Sequence, residues 1–236
     1  MMSRKFSGMQ GFICYPNHMI EVIHYSDKAT EEALLTEIAA AYEESKTILP
    51  NLPDTLQIYF YEDGAIPETG VGAYAYSREI ISLSIDPDYE NKEMQRQDIR
   101  PTIFHEVFHI YQAYTKEDGH YNAIESATYE GMATVFERDY SGKYEPYADY
   151  SEYTDDDLIE RVKLLDAVGN NYFEDDATWK KWAFYNHEMK ERWIVYKVGT
   201  WIVDQVLQKN QLSIIDLKDK TAKEVLALFE NSLFDV

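Results

Sequence analysis

"RPTIFHEVFHIYQAYTK" (residues 100–116) carries two of the chain's six histidines, four apart, with a glutamate directly after the first. Pro101 suits the first turn of a helix. Ile103, Phe104, Val107, Phe108, Ile110 and Tyr111 supply an apolar surface at helical spacing, so the pattern predicts a helix over 100–115. On it His105 and His109 fall about 40° apart, one turn above the other. Their ring nitrogens then reach a common cation, as in a His-x-x-x-His zinc pair. Glu106 is rotated about 100° from His105, a poor position for a third ligand but within reach of a water bound at the metal. The bland alternative is a helix with two unrelated imidazoles. By chance the His-Glu-x-x-His string is expected on the order of once in a hundred chains of this histidine content, which favours the metal. A third ligand must then come from elsewhere.

"IESATYEGMATVFERDY" (124–140) repeats the helical pattern, predicting a helix over 122–140. Glu125, Glu130 and Glu137 are its candidate ligands. Glu130 and Glu137 are seven apart and nearly share a face, whereas Glu125 is rotated about 140° from Glu130. Gly131, Ala133 and Thr134 are small, so this helix can approach a neighbour closely around Glu130. Glutamates on a helix are ordinarily a solvated face. Here a site with two imidazoles needs a carboxylate, and Glu130 is preferred over Glu125.

Upstream the periodicity changes. "MIEVIHY" (19–25) predicts a strand, Thr30 an N-cap, and Leu34, Leu35, Ile38 and Tyr42 one face of a helix over 31–47. "TLQIYFY" (55–61) alternates Leu56, Ile58 and Phe60 inward, "GVGAYAYS" (70–77) is extended, and "EIISLSIDP" (79–87) sets Ile81, Leu83 and Ile85 against Ser82 and Ser84. "GVGAYAYS" is also a candidate edge strand for pairing with an extended substrate. After residue 140 come an acidic, loop-rich stretch near 141–157 and helices at 156–168, 176–190, 191–209 and 221–232. Strands first and helices afterwards predict an α+β fold, with helices on one sheet face. The expected organisation is one domain over 1–236. It has a strand-rich part (1–98), metal-site helices (99–140) and a helical C-terminal part (141–236).

Composition narrows the chemistry. The 236 residues are 45% apolar and 14% aromatic, enough for a sizeable core. A formal charge of −21 argues against nucleic acid and anionic membranes, whose phosphates need a positive field. The single cysteine, Cys14, excludes an intrachain disulfide and a thiolate-rich zinc site. With no apolar run of signal-peptide or membrane-span length, the expected location is the cytoplasm.

His105-Glu106-Val107-Phe108-His109, followed after 20 residues by Glu130-Gly131-Met132-Ala133, resembles the gluzincin metallopeptidases. In their aminopeptidase N-like and thermolysin-like members, a glutamate opening the downstream helix is the third zinc ligand. "EGMATVFE" (130–137) is similar to the Glu-Gly-Phe-Ala segment of the aminopeptidases. A wider likeness, over roughly residues 55–205, is to a bacterial family of predicted zinc-dependent proteases classed as a domain of unknown function. It takes in "GVGAYAYSREIISLSIDP" (70–87) and "YKVGTWIV" (196–203). The resemblance implies a zincin-like fold and one zinc ion per chain, held by His105, His109 and Glu130. It also implies Glu106 as general base and a peptide or protein as substrate. Two departures stand out. Thermolysin-like enzymes place an Asp four residues after the ligand Glu, where this chain has Thr134, and no Gly-Ala-Met-Glu-Asn loop is present, so aminopeptidase activity is not implied.

Stabilising the oxyanion calls for a second donor besides the metal. Tyr196, on a helix face with Gly199, Thr200 and Val203, is the first candidate, and His187 in "FYNHEMKERW" the other. Glu137 is a candidate for orienting a ligand histidine. Two other readings stand beside the peptidase: a zinc hydrolase acting on a different amide, and a non-catalytic acidic binding or inhibitor protein. The second uses the charge but needs none of His105, Glu106, His109 and Glu130.

Overall fold

The computed structural model describes residues 10–15, 18–23, 32–116, 121–143, 146–172 and 176–234. The expected N-cap at Thr30 lies outside them. The chain divides into two compact units, Met1–Asp118 and Gly119–Val236.

The first unit holds the strands β1 (Gln10–Tyr15), β2 (His18–Ile23), β3 (Thr55–Tyr61), β4 (Val71–Ser77) and β5 (Ile80–Ile85), with helices α1 (Glu32–Ile48) and α2 (Lys92–Gln112). They form one mixed sheet in the order β1-β2-β3-β5-β4, in which β2, β3 and β5 run parallel and the outer strands antiparallel. Leu56, Ile58 and Phe60 are fully buried, as their alternation predicts. β5 departs from its pattern: Ser82 and Ser84 are buried along with Ile81, Leu83 and Ile85. It lies inside the sheet, between β3 and β4, with both faces covered. β4 is the terminal strand, the edge that "GVGAYAYS" suggests.

The connection into α2 is fixed by polar contacts. Gly70 turns at φ +69°, and a Cβ there would meet the Tyr89 ring at 2.4 Å. The Gln95 side-chain amide donates to the Gly70 carbonyl (2.9 Å) and the Asp86 carbonyl (2.7 Å), tying the first turn of α2 to the ends of β4 and β5. Asn91 caps the helix by accepting from the Met94 N–H at 3.1 Å.

α2 therefore begins at Lys92, and Pro101 is inside the helix and not in its first turn. A proline there removes the bond to the carbonyl four residues back, which normally ends or bends a helix. Packing carries the helix through it, with Ile99, Pro101, Ile103 and Phe104 all buried. The early start escapes hydrophobic periodicity because Gln95 and Asp98, both polar, take inward-facing positions of the first turns.

The second unit is helical: α3 (Ala123–Ser141), α4 (Asp155–Val168), α5 (Asp176–Ala183), α6 (Ile194–Asn210), α7 (Ile214–Leu217) and α8 (Ala222–Phe234). A two-stranded ribbon, β6 (Tyr185–Asn186) and β7 (Glu191–Arg192), and short 3-10 turns at Pro146–Ala148 and Gly169–Tyr172 complete it. The predicted helix over 176–190 thus stops at Ala183. Beyond it the Asn186 side chain accepts from the Glu188 and Met189 N–H groups (3.1 and 3.2 Å), an Asx turn that competes with helix. The Phe184 carbonyl takes the Trp193 N–H at 3.1 Å, which closes the hairpin and delays the next helix to Ile194.

α3 and α6 pack with their backbones nearly in contact: a Cβ on Gly131 would fall 2.1 Å from the Gly199 carbonyl. Farther along, Arg138 on α3 grips Asp204 on α6 through both carboxylate oxygens (3.0 and 2.9 Å), and the Tyr150 hydroxyl donates to the same carboxylate at 2.7 Å. Such a bidentate, half-buried pair holds register better than an exposed one. Among the described residues no helix is long and apolar enough to cross a membrane.

Candidate metal centre

In the first unit, α2 buries His105, Glu106 and His109, each no more than 6% exposed. Ile103, Phe104, Val107 and Phe108, all fully buried, anchor the same turns in the core and so fix where the imidazoles stand. The Nε2 atoms of His105 and His109 are 3.0 Å apart. Two nitrogens bound to one tetrahedral zinc at 2.0–2.1 Å would be about 3.3 Å apart, so little movement separates this pair from a ligating geometry. Behind His109, α2 ends in a left-handed residue, Ala113 (φ 58°), and the Tyr114 N–H returns to the His109 carbonyl at 2.9 Å. The Tyr114 ring then packs against the His109 imidazole at 4.9 Å.

In the second unit, α3 starts from an Asn122 cap and carries Glu130 next to Gly131, where α6 approaches most closely. The small residues around Glu130 do serve close helix packing, as their size suggests. Glu125 points to another partner, Lys223 on α8 at 3.6 Å. Within α2, then, His105 and His109 present two imidazole nitrogens close enough to share one cation. Two imidazoles at this spacing are donors that zinc accepts, and a carboxylate is the usual complement to such a pair.

Two tyrosines that periodicity does not single out lie beside glutamates of α3. Tyr172 closes the 3-10 turn after α4 and is 1% exposed. Burial first, and then the Glu130 carboxylate, push its phenol well above the ordinary range, so it stays protonated beside that carboxylate. Tyr147 donates its hydroxyl to Glu137 Oε2 at 2.6 Å. Its ring meets Tyr196 edge-on at 5.1 Å, and Trp193 packs against both, 6.0 Å from Tyr147 and 5.8 Å from Tyr196. Tyr196 is thus held in an aromatic cluster whose far end is fixed by Glu137. His187 is exposed on the β6–β7 turn, its ring 4.6 Å from that of Tyr185. Tyr147 and Tyr172 sit in polar, loop-like sequence, where no periodic signal marks a residue as inward-facing.

A family model described as "Predicted Zn-dependent protease (DUF2268)" matches residues 34–227, and the chain belongs to that family. Among solved structures the chain is similar to an aminopeptidase N family protein from Idiomarina loihiensis, at 14% identity and a TM-score of 0.49. That alignment covers 94% of this chain and 40% of the other, so the chain spans less than half the length of this neighbour. No curated protein matches.

Proposed function

We propose that this member of the predicted zinc-dependent protease family hydrolyses peptide bonds at a single zinc held by His105, His109 and Glu130. The observation that carries the reading is the buried imidazole pair of α2, the Nε2 atoms of His105 and His109 3.0 Å apart, with Glu106 buried beside it. A zinc ion held there would supply Lewis acidity, making a water more acidic and polarising the scissile carbonyl.

The chain's own residues do the rest. Glu106, adjacent to a ligand and buried, takes the proton of the attacking water and passes it to the leaving amine. Tyr196 donates its phenolic hydrogen to the carbonyl oxygen as negative charge develops there. Support for Tyr196 over His187 is its fixed setting between Tyr147 and Trp193, because a preorganised donor loses nothing to reorientation during reaction. Tyr172, protonated and buried near Glu130, keeps that carboxylate in a polar setting. The edge strand β4, against which α2 packs, offers main-chain groups for an extended substrate.

In this reading residues 1–236 act as one catalytic domain, which the family match over 34–227 supports. The cytoplasm is the assigned compartment, supported by a chain with a single cysteine. The test is digestion of a mixed peptide library by the zinc-loaded protein and by the same protein after chelation. Cleavage that appears only with zinc supports the reading, and an intact library with fully loaded protein refutes it.

A further inference from the structure

Among the described residues, Asn51, Ala113, Lys190, Trp193 and Gln211 have a positive φ without being glycine. Ala113 and Gln211 close helices, where this conformation is ordinary, and Asn51 and Lys190 lie in turns. Trp193 is different: it starts a helix, α6, and carries a bulky ring (φ 61°, ψ 33°). In the same unit, α3 and α4 start from extended residues whose side chains cap them. Asn122 accepts from the Glu125 N–H at 2.8 Å, and Thr154 from the Asp157 N–H at 3.2 Å. Trp193 makes no such bond. Helix stability alone would favour Ser, Asp or Gly at this position.

What this conformation does is aim the indole. The Trp193 N–H donates to the Phe184 carbonyl at 3.1 Å and its carbonyl accepts the Lys197 N–H at 2.9 Å, so the main chain is held on both sides. The indole, 7% exposed, meets Phe184 at 5.3 Å and 82°, Tyr196 at 5.8 Å and 73°, and Tyr147 at 6.0 Å and 53°. The Arg192 guanidinium lies 5.3 Å from its ring centre. Tilted and edge-on ring contacts are directional, so each ring restricts the tilt of the next. Tyr196 is met by two of these rings, and the hydroxyl of the second, Tyr147, is held by Glu137. We propose that Trp193 is a positioning residue: its left-handed backbone turns the indole onto Tyr196 and holds that phenol at the angle from which it donates to the oxyanion. The inference rests on Tyr196 being the donor in the metallopeptidase reading. Strain kept at the start of α6 is then the counterpart of a preorganised hydroxyl, and Trp193 acts through Tyr196 and not on the substrate.

The test is a double-mutant cycle on the zinc-loaded full-length protein, with a peptide that the parent cleaves in the library digest as substrate. Trp193→Leu keeps an apolar side chain and removes the ring. It should lower kcat about tenfold with KM and zinc content unchanged. Trp193→Phe restores an aromatic face and should lose only about threefold, and it carries the cycle if the leucine variant does not fold by circular dichroism. In a Tyr196→Phe background neither substitution should lower kcat further, because the hydroxyl they position is gone. An equal fall in both backgrounds would make Trp193 an ordinary packing residue and overturn the inference. A parent-like kcat in whichever of the two variants folds would overturn it as well. An unchanged rate for Tyr196→Phe would remove the donor and the inference together while leaving the peptidase intact. A zinc-loaded parent that cleaves no peptide would refute the metallopeptidase reading itself.

Discussion

Gly131 and Gly199 face each other where α3 crosses α6, so closely that a Cβ on either would penetrate the other helix's backbone. A side chain cannot yield the space, because the nearest atoms are main-chain atoms. Gly131→Ala should therefore destabilise the protein despite the better helix propensity of alanine, by about 2 kcal/mol or more. Because Glu130 is the preceding residue, zinc affinity should fall as well. Urea unfolding and metal titration of the variant check both, and a variant as stable as the parent would mean the two helices can separate freely.

The zinc is expected to be catalytic and not required for the fold. Each unit has a core of its own: Ile38, Tyr42, Leu56, Ile58 and Phe60 in the first, and Val135, Phe136, Trp201 and Val203 in the second. Chelation should abolish hydrolysis and leave most of the far-ultraviolet circular dichroism in place. Collapse of the helical signal on chelation would make the metal structural.

Alkaline pH should unfold the protein through buried phenols. Burial raises the pKa of Tyr42 in the first unit and of Tyr172 in the second. Above pH 10, the ordinary value for both, the unfolded chain loses phenolic protons that the folded chain keeps. Stability is then unaffected by these groups below that pH and falls above it, by about 1.4 kcal/mol per pH unit for each phenol. Urea titrations at several alkaline pH values measure the slope, and Tyr42→Phe should reduce it.

Tyr196→Phe should lower turnover by roughly ten- to a thousandfold with little change in zinc affinity, as loss of an oxyanion donor does. Tyr147→Phe cuts the link to Glu137 and leaves the aromatic contact, so its effect should be smaller and fall on turnover more than on KM. Steady-state kinetics of both variants decide it. An unchanged rate for Tyr196→Phe would return that residue to packing and shift attention to His187.

How far the sequence reveals this molecule depends on which interaction each residue serves. The strands at 55–61 and 70–87 and the helices that carry His105, His109 and Glu130 were legible because apolar burial repeats with the period of the element. The same signal fails at Lys92–Arg100, where Gln95 and Asp98 replace the expected apolar residues on the inner face. It fails again at 184–193, where an Asn side chain captures the main chain and diverts a helix into a hairpin. His105, Glu106, His109 and Glu130 stand out as candidates because metal chemistry demands a short spacing and particular residue types. Tyr147 and Tyr172 were not, since their roles come from tertiary contacts that no local pattern encodes.

Glu106 and Glu130 are two carboxylates with different assigned tasks, and separating them tests the account most directly. Zinc content and peptide turnover are to be measured side by side on Glu106→Gln, Glu130→Gln and Glu125→Gln. Glu106→Gln removes the base and keeps the shape, so zinc should stay bound while hydrolysis falls by roughly a hundredfold or more. Glu130→Gln replaces an anionic ligand with a neutral amide and should lose zinc and activity together. Glu125→Gln, whose partner is Lys223, should change neither. An active Glu106→Gln enzyme, or zinc lost from Glu125→Gln but retained by Glu130→Gln, would contradict the account.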